Sequence, residues 1–226
     1  MNSRCVLDYA KQLDFVLASE QAELMVEYGR LLLEKNKVLN LTAITDENAF
    51  VVKHLCDSLA AAALGSLAGE TADVGTGGGF PGVVLRICRP ELSVTLIDSV
   101  RKKIDAVAEI CDKLGISIKT VHGRAEELGR KELRERYDSV TSRALARMPR
   151  LLEYCLPLVK TGGVFVAMKG PFPETETEEA RCVESALGGS LSATRTYRLP
   201  DGIGRSLVIY HKTGAAQGIP RPNKRI

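Results

Sequence analysis

Asp73-Val74-Gly75-Thr76-Gly77-Gly78-Gly79-Phe80-Pro81-Gly82 decides how this chain of 226 residues is read. Thr71 to Gly75 reads as a strand running into a loop with five glycines over eight positions, and Val83 to Cys88 reads as the helix that follows. Glycines at a strand end permit a tight turn and let a ligand approach bare backbone, while the helix start is expected to offer unpaired N–H groups. In an open parallel sheet, ligands sit at the carboxyl ends of the strands. A loop of this composition without a ligand is disfavoured by the conformational entropy that so many glycines lose on folding.

The ligand is narrowed by what the loop lacks. A dinucleotide fingerprint needs GxGxxG or GxGxxA, and its sixth position here is Phe80, too large for the close helix–strand packing of the third glycine. No Lys-Ser/Thr pair follows, so a P-loop is excluded. Asp-x-Gly-x-Gly-x-Gly remains, made by Asp73, Gly75, Gly77 and Gly79, with Asp98 closing the next strand nineteen residues beyond Gly79. A carboxylate there can accept both hydrogen bonds of a ribose diol. Asp73 can orient the loop and favour a cationic ligand, and Arg124-Ala125-Glu126 stands where it can border an adenine.

Outward from the loop, short strands and helices alternate. Val94 to Asp98, Ile118 to His122, Ser139 to Ser142 and Val164 to Met168 read as strands. Lys102 to Leu114 reads as a helix with Ile104, Val107, Ala108, Cys111 and Leu114 on one face, and a further helix spans Met148 to Val159. Beyond Pro173 come an acid-rich helix, Glu174 to Leu187, and two strand-like runs, Ala193 to Leu199 and Ser206 to His211, joined by Pro200-Asp201-Gly202 as an antiparallel hairpin. Such alternation demands a mostly parallel sheet covered on both faces. The first fifty residues read as helical, with Ser19 as an N-cap. A second helix over Asn48 to Ala63 brings His54, Asp57 and Ser58 together.

Composition bounds the function. Charged residues at 26% and hydrophobic residues at 45% describe a globular chain and exclude collagen-like, coiled-coil and disordered classes. The formal net charge is only +3, and the last sixteen residues hold Lys212, Arg221, Lys224 and Arg225 with no acid. The body is therefore nearly neutral with a short basic tail, which excludes a uniformly basic nucleic-acid coat. Cysteines 5, 56, 88, 111, 155 and 182 are never closer than 23 residues, so no CxxC pair offers zinc or redox chemistry. All six read as reduced core residues of a cytoplasmic protein, and no metal site is expected. Arg4, Asp8, Lys11 and Asp14 interrupt any signal peptide, and the apolar run Leu59 to Leu64 is too short to span a membrane.

Several motifs together carry a resemblance. Asn40-Leu41-Thr42, Lys53-His54-Leu55-Cys56-Asp57-Ser58, the glycine loop, Asp98-Ser99 with Lys102-Lys103, Arg124-Ala125-Glu126, Ser142-Arg143-Ala144 and Lys169-Gly170 resemble the RsmG (GidB) family. Its members are bacterial S-adenosylmethionine-dependent methyltransferases acting on a guanine N7 in small-subunit 16S ribosomal RNA. The resemblance covers most of the chain. The glycine loop alone indicates only a class I methyltransferase, while His-x-x-Asp-Ser and Ser-Arg-Ala make the family assignment specific. Two departures stand out: Pro and Leu are common in the family at loop positions occupied here by Gly78 and Phe80, and the ending Gln217 to Lys224 follows a basic Gly-x-Pro-x-Lys pattern only loosely.

The resemblance implies a class I fold, a mostly parallel seven-stranded sheet with a C-terminal antiparallel hairpin, carried by residues 51–214. Residues 1–50 would form a helical extension and residues 215–226 a basic tail. Gly75, Gly77, Gly79 and Phe80 would line the methyl donor, with Gly75 backbone meeting its amino-acid end. Ala125 and Glu126 would border the adenine, and Asp98 would take the ribose by class I analogy. Arg143 would lie beside both donor and incoming base, and His54, Asp57 and Lys169 fall on the substrate side. The partner would be 16S rRNA within the small subunit or a precursor, met by a monomer in the cytoplasm.

Guanine N7 carries an in-plane lone pair, so no proton need be removed before attack on a sulfonium methyl, and no general base is expected. Catalysis would rest on positioning. With no Trp and 5% aromatic residues, a broad stacking platform is not expected, and RNA shape and phosphate contacts would dominate recognition. The alternatives are a methyltransferase of the same fold with another RNA or small-molecule substrate, a nicotinamide-dependent oxidoreductase, and a non-catalytic RNA-binding module whose donor pocket should be occluded.

Overall fold

Runs rich in Val, Thr and Ile form the strands, and the segments with helical spacing cover them. The computed structural model describes residues 1–63 and 66–216. Among these, seven strands form one sheet: β1 (Glu70–Val74), β2 (Ser93–Asp98), β3 (Lys119–His122), β4 (Tyr137–Arg143), β5 (Val159–Lys169), β6 (Gly189–Arg198) and β7 (Gly204–Lys212). Their order is β3-β2-β1-β4-β5-β7-β6. The first five pair in parallel. β7 runs antiparallel between β5 and β6, forming the expected C-terminal hairpin. The order reverses between β1 and β4, so a crevice opens at their carboxyl ends.

The helices are α1 (Ser3–Gln12), α2 (Ser19–Leu39), α3 (Glu47–Phe50), α4 (Asp57–Ala63), α5 (Gly82–Cys88), α6 (Arg101–Lys113), α7 (Ala125–Leu128), α8 (Met148–Cys155) and α9 (Glu174–Glu184). A wide π-helical turn, Val51–Cys56, joins α3 to α4. Strand alternation divides the core between the two faces of the sheet. Leu96, Val166, Met168, Leu207 and Ile209 face α1, α2, α5 and α6 in one apolar cluster. Val74, Ile97, Phe165, Val208 and Tyr210 face α8 and its surroundings in the other.

The structure moves several expected boundaries. Ala18, not Ser19, occupies the cap of α2, where its N–H donates to the Gln21 side chain at 3.0 Å. The helix expected to reach Val159 ends at Cys155 and tightens into a 3₁₀ turn, Leu156–Leu158, because Pro157 has no N–H to continue it. On α6 the buried face runs through Ala106 and Ile110 as well as Ile104, Val107 and Cys111. Four cysteines are buried, but Cys5 is half-buried and Cys182 is exposed, since α9 turns Thr177 and Ala180 inward and Cys182 away. Among the described residues, no helix is long and apolar enough to cross a membrane. The basic tail expected over residues 215–226 lies outside the described residues from position 217 onward.

Candidate active site

β1 delivers the chain to the crevice at Gly75, where the backbone turns left-handed (φ 71°) and does so again at Gly77 (φ 55°). A side chain at either position would be strained. The Gly75 and Thr76 N–H groups donate to the Ile97 carbonyl at 2.9 and 3.2 Å, and those of Gly79 and Phe80 to the Thr76 carbonyl at 2.9 and 3.0 Å. The Gly77 N–H donates to Asp98 Oδ2 and the Gly82 N–H to Asp73 Oδ2, both at 2.9 Å. The N–H groups of Gly75, Thr76, Gly77, Gly79 and Phe80 in the loop, and of Gly82 at the helix start where free donors are expected, are therefore partnered within the protein. Buried donors must find partners, and here the protein supplies them. What Gly75 has left to present is a carbonyl, the group an ammonium would seek.

Asp73 is fully buried. Its Oδ2 also accepts the Thr76 hydroxyl at 2.6 Å, and its Oδ1 has no hydrogen-bond partner among the described residues. Burial pushes its carboxyl up to about 6, against the pull of the Thr76 and Gly82 hydrogen bonds. A Cβ at Gly82 would collide with the side chains of Leu96 and Asp73. The close approach of helix to strand is thus made at Gly82, two residues beyond the position where a dinucleotide fingerprint places its glycine.

Two cavities meet on this loop. The smaller, about 330 Å³, is bordered by Asp98, Ser99, Lys103, Ala125, Glu126 and Leu145. The larger, about 550 Å³, is bordered by His54, Asp57, Phe80, Arg143, Lys169 and Glu176. Gly75 and Gly77 line both. Asp98, Ala125 and Glu126 thus gather on one side, and His54, Asp57, Arg143 and Lys169 on the other. Phe80 lines only the larger cavity, and Gly79 lines neither, since it packs against Tyr28 behind the loop. Asp98 holds the loop itself: its Oδ1 accepts the Val100 N–H at 2.8 Å while Oδ2 takes Gly77. Each carboxylate oxygen has a second lone pair for a further donor.

The larger cavity is walled by one polar chain. Arg143, at the end of β4, donates from Nη2 to His54 Nδ1 at 2.7 Å, and from Nη1 to the Lys53 carbonyl at 3.0 Å and Asp57 Oδ2 at 3.2 Å. Because Nδ1 accepts, the proton sits on Nε2, which donates to Thr42 Oγ1 at 2.8 Å. Burial and the Arg143 charge pull the His54 imidazole down to about 3. Phe80 stacks on His54, with centroids 4.7 Å apart and planes 5° apart, and the Arg143 guanidinium lies 5.4 Å from the Phe80 centroid. Lys169 Nζ donates to Glu176 Oε2 at 2.6 Å and the Ala146 carbonyl at 2.8 Å. Although burial opposes it, that lysine holds the Glu176 carboxyl below its usual range.

Several wall residues escape a reading of the sequence. Tyr197 and Arg205 reach Asp57 Oδ1 at 2.8 and 3.8 Å from β6 and β7, and Glu176 comes from α9. Tyr28 donates to the Gly78 carbonyl at 2.8 Å from α2. No local signal marks them, because each meets the site only through strand order and helix packing. The π-turn that carries His54 left no sequence signature either, although such turns recur at functional sites.

The chain is similar to known proteins along nearly all its length. The GidB family model, described as rRNA small subunit methyltransferase G, matches residues 21–200. A protein named ribosomal RNA small subunit methyltransferase G from Lactobacillus delbrueckii subsp. bulgaricus is 39% identical over 237 aligned positions, covering 100% of this chain and 99% of the relative. A protein of the same name from Staphylococcus epidermidis is 42% identical over 200 positions, covering 87% of this chain and 84% of the relative. Among solved structures, an O-methyltransferase family protein from Burkholderia thailandensis superposes with a TM-score of 0.55 at 14% identity, over 71% of this chain and 55% of that one. The [4+2]-cyclase SpnF superposes with a TM-score of 0.52 at 15% identity, over 70% and 80%. The sheet is thus that of class I methyltransferases, shared with an enzyme named for a different reaction, so the family is decided by sequence: the chain belongs to the GidB family, rRNA small subunit methyltransferase G.

Proposed function

We propose that this protein transfers a methyl group from S-adenosylmethionine to N7 of a guanine in 16S ribosomal RNA, acting in the cytoplasm on the small subunit or a precursor of it. The observation that carries the reading is the junction of two cavities on the bare backbone of Gly75 and Gly77. A donor lying in the smaller cavity and a base lying in the larger one would meet there. A non-catalytic RNA-binding module would need the smaller cavity closed, and it is open at about 330 Å³.

The residues fit the donor. The buried, unpartnered Asp73 Oδ1 favours a positive ligand near the loop, and Gly75 offers a carbonyl to an ammonium. Asp98 retains lone pairs for a diol. Bound there, S-adenosylmethionine would supply a sulfonium methyl whose carbon a lone pair can attack, with the C–S bond breaking and the neutral thioether as leaving group. Arg143, clamped by His54, Asp57 and Lys53, presents a fixed cation at the mouth of β4 that can orient the base through its acceptors or hold a phosphate. His54 has both nitrogens engaged and cannot take a proton, which suits an acceptor that has none to lose. Lys169, fixed by Glu176, and Asp57, fixed by Tyr197, complete a preorganised wall, so positioning carries the rate.

The test is transfer of radiolabelled methyl to small subunits and to naked 16S rRNA from a strain lacking the protein, followed by nucleoside analysis. Label in 7-methylguanosine is expected. Label in another nucleoside, or none despite measurable donor binding, overturns the acceptor assignment.

A further inference from the structure

Phe172 is the one phenylalanine among the described residues that stands in solvent: it is 85% exposed, whereas Phe50, Phe80 and Phe165 are buried. It projects from Gly170-Pro171-Phe172-Pro173, the link between β5 and α9. Proline rings fix φ on both sides of it, so the ring is held out with little freedom to lose on binding. The link is also anchored at its start, where Lys169 is tied to Glu176 and the Ala146 carbonyl.

Behind Phe172 lies a depression of about 600 Å³ bordered by Pro171, Thr196, Tyr197, Arg198 and Arg205. No carboxylate lines it, and two guanidinium groups do. Arg198 uses Nη1 on the Gly202 carbonyl at 3.1 Å, leaving the rest of its planar fork available. The depression is continuous with the larger cavity through Arg205, which borders both. Tyr197 and Arg205 form the partition, since both reach Asp57 on its far side.

An exposed aromatic face beside two arginines, one partition away from the acceptor cavity, is what a nucleotide needs: a ring to stack on and donors for its phosphate. We propose that Phe172, Arg198 and Arg205 form a second nucleotide subsite, which takes the base and phosphate of an RNA residue flanking the target guanine. The subsite rests on the reading of the larger cavity as the acceptor site. A single preset ring replaces the broad stacking platform that the aromatic content excludes.

The chain contains no tryptophan, so Phe172→Trp installs a unique fluorophore at the subsite. Its emission is expected to be quenched by 16S rRNA. Phe172→Ala is expected to raise KM for the RNA acceptor about tenfold, in line with the loss of one base stack, with kcat and donor affinity unchanged. Phe172→Tyr should behave as the parent and Phe172→Leu as the alanine variant, because stacking needs a π face. Arg198→Ala should lower the salt dependence of binding by about one phosphate. Full activity of the leucine variant would point to an apolar protein contact and overturn the proposal, as would an unchanged KM in the alanine variant. Quenching without methylation of any RNA would keep the subsite and overturn the function; methylation without quenching would do the reverse.

Discussion

His54 and Asp73 are held in uncharged-favouring surroundings by burial, and their effects on stability oppose each other. The folded protein keeps His54 neutral down to about 3, well below the ordinary value near 6.5. Its contribution is complete above about 6.5 and is lost as pH falls toward 3. Asp73, raised to about 6, holds its proton longer when folded, so its contribution is present below about 4 and lost as pH rises through 6. Between about pH 4 and 6 the two slopes, each about 1.4 kcal/mol per unit, cancel. Urea midpoints should then rise with pH across this window in Asp73→Asn and fall with pH in His54→Gln; variants that merely parallel the parent would discard the assignment. At the same scale, Gly75→Asp should abolish donor binding in calorimetry while the fold survives. A side chain there is strained at φ 71°, its Cβ would stand 2.7 Å from Leu145, and its carboxylate would fill the cavity junction. Arg143→Ala should cut methylation at least tenfold and leave a folded protein, since Asp57 keeps Tyr197 and Arg205. Full turnover by that variant would remove Arg143 from the mechanism.

Among the elements, α2 and α5 hold the glycine loop from two sides. Tyr28 of α2 bonds the Gly78 carbonyl from a wholly buried position, and α5 starts at Gly82 against β1 and β2. Tyr28→Phe leaves that carbonyl unpartnered and should lower stability by about 1 kcal/mol with several-fold weaker donor binding. Gly82→Ala forces a methyl onto the rigid Asp73 Cβ and should cost about 1–3 kcal/mol by urea unfolding. An unshifted midpoint for Gly82→Ala would mean that α5 can slide on the sheet. The helices preceding the sheet therefore share in the site: α2 supplies Tyr28 and Asn36, and Asn36 fixes Thr42 by donating to its carbonyl at 2.9 Å and accepting its N–H at 2.8 Å.

For the molecule as a whole, the donor cavity joins β1, β2, α7 and the Leu145 segment, so occupying it should stabilise the entire fold. At a donor concentration one hundred times Kd, mass action contributes about 2.7 kcal/mol. For a domain of this size that is a rise in Tm of roughly 5–10 °C. The shift should vanish in Gly75→Asp and persist in Phe172→Ala. Loss of the shift in Phe172→Ala would mean that the loop after β5 supports the donor cavity, against its placement beside the acceptor.

The sequence by itself determined the alternation of strands and helices, the strand-to-glycine-loop junction, and the family. These are local properties: side chains alternate with period two in strands and about 3.6 in helices, and glycine marks the positive φ of the loop at Gly75, Gly77 and Gly79. The residues that the resemblance implies also gather around the glycine loop: Asp98, Ala125 and Glu126 border the smaller cavity, while His54, Asp57, Lys169 and Arg143, expected beside both donor and base, border the larger. Only the tertiary structure decided what those residues do to one another. Strand order sets β4 beside β1 and inserts β7 between β5 and β6, which brings Tyr197 and Arg205 to Asp57 and Arg143 to His54. It also gave the Gly75, Gly77 and Gly79 N–H groups partners within the protein, moved the close-packing glycine to Gly82 and left Phe172 in solvent. Hydrogen-bond partners and burial depend on residues far apart in the chain, and no local pattern encodes them.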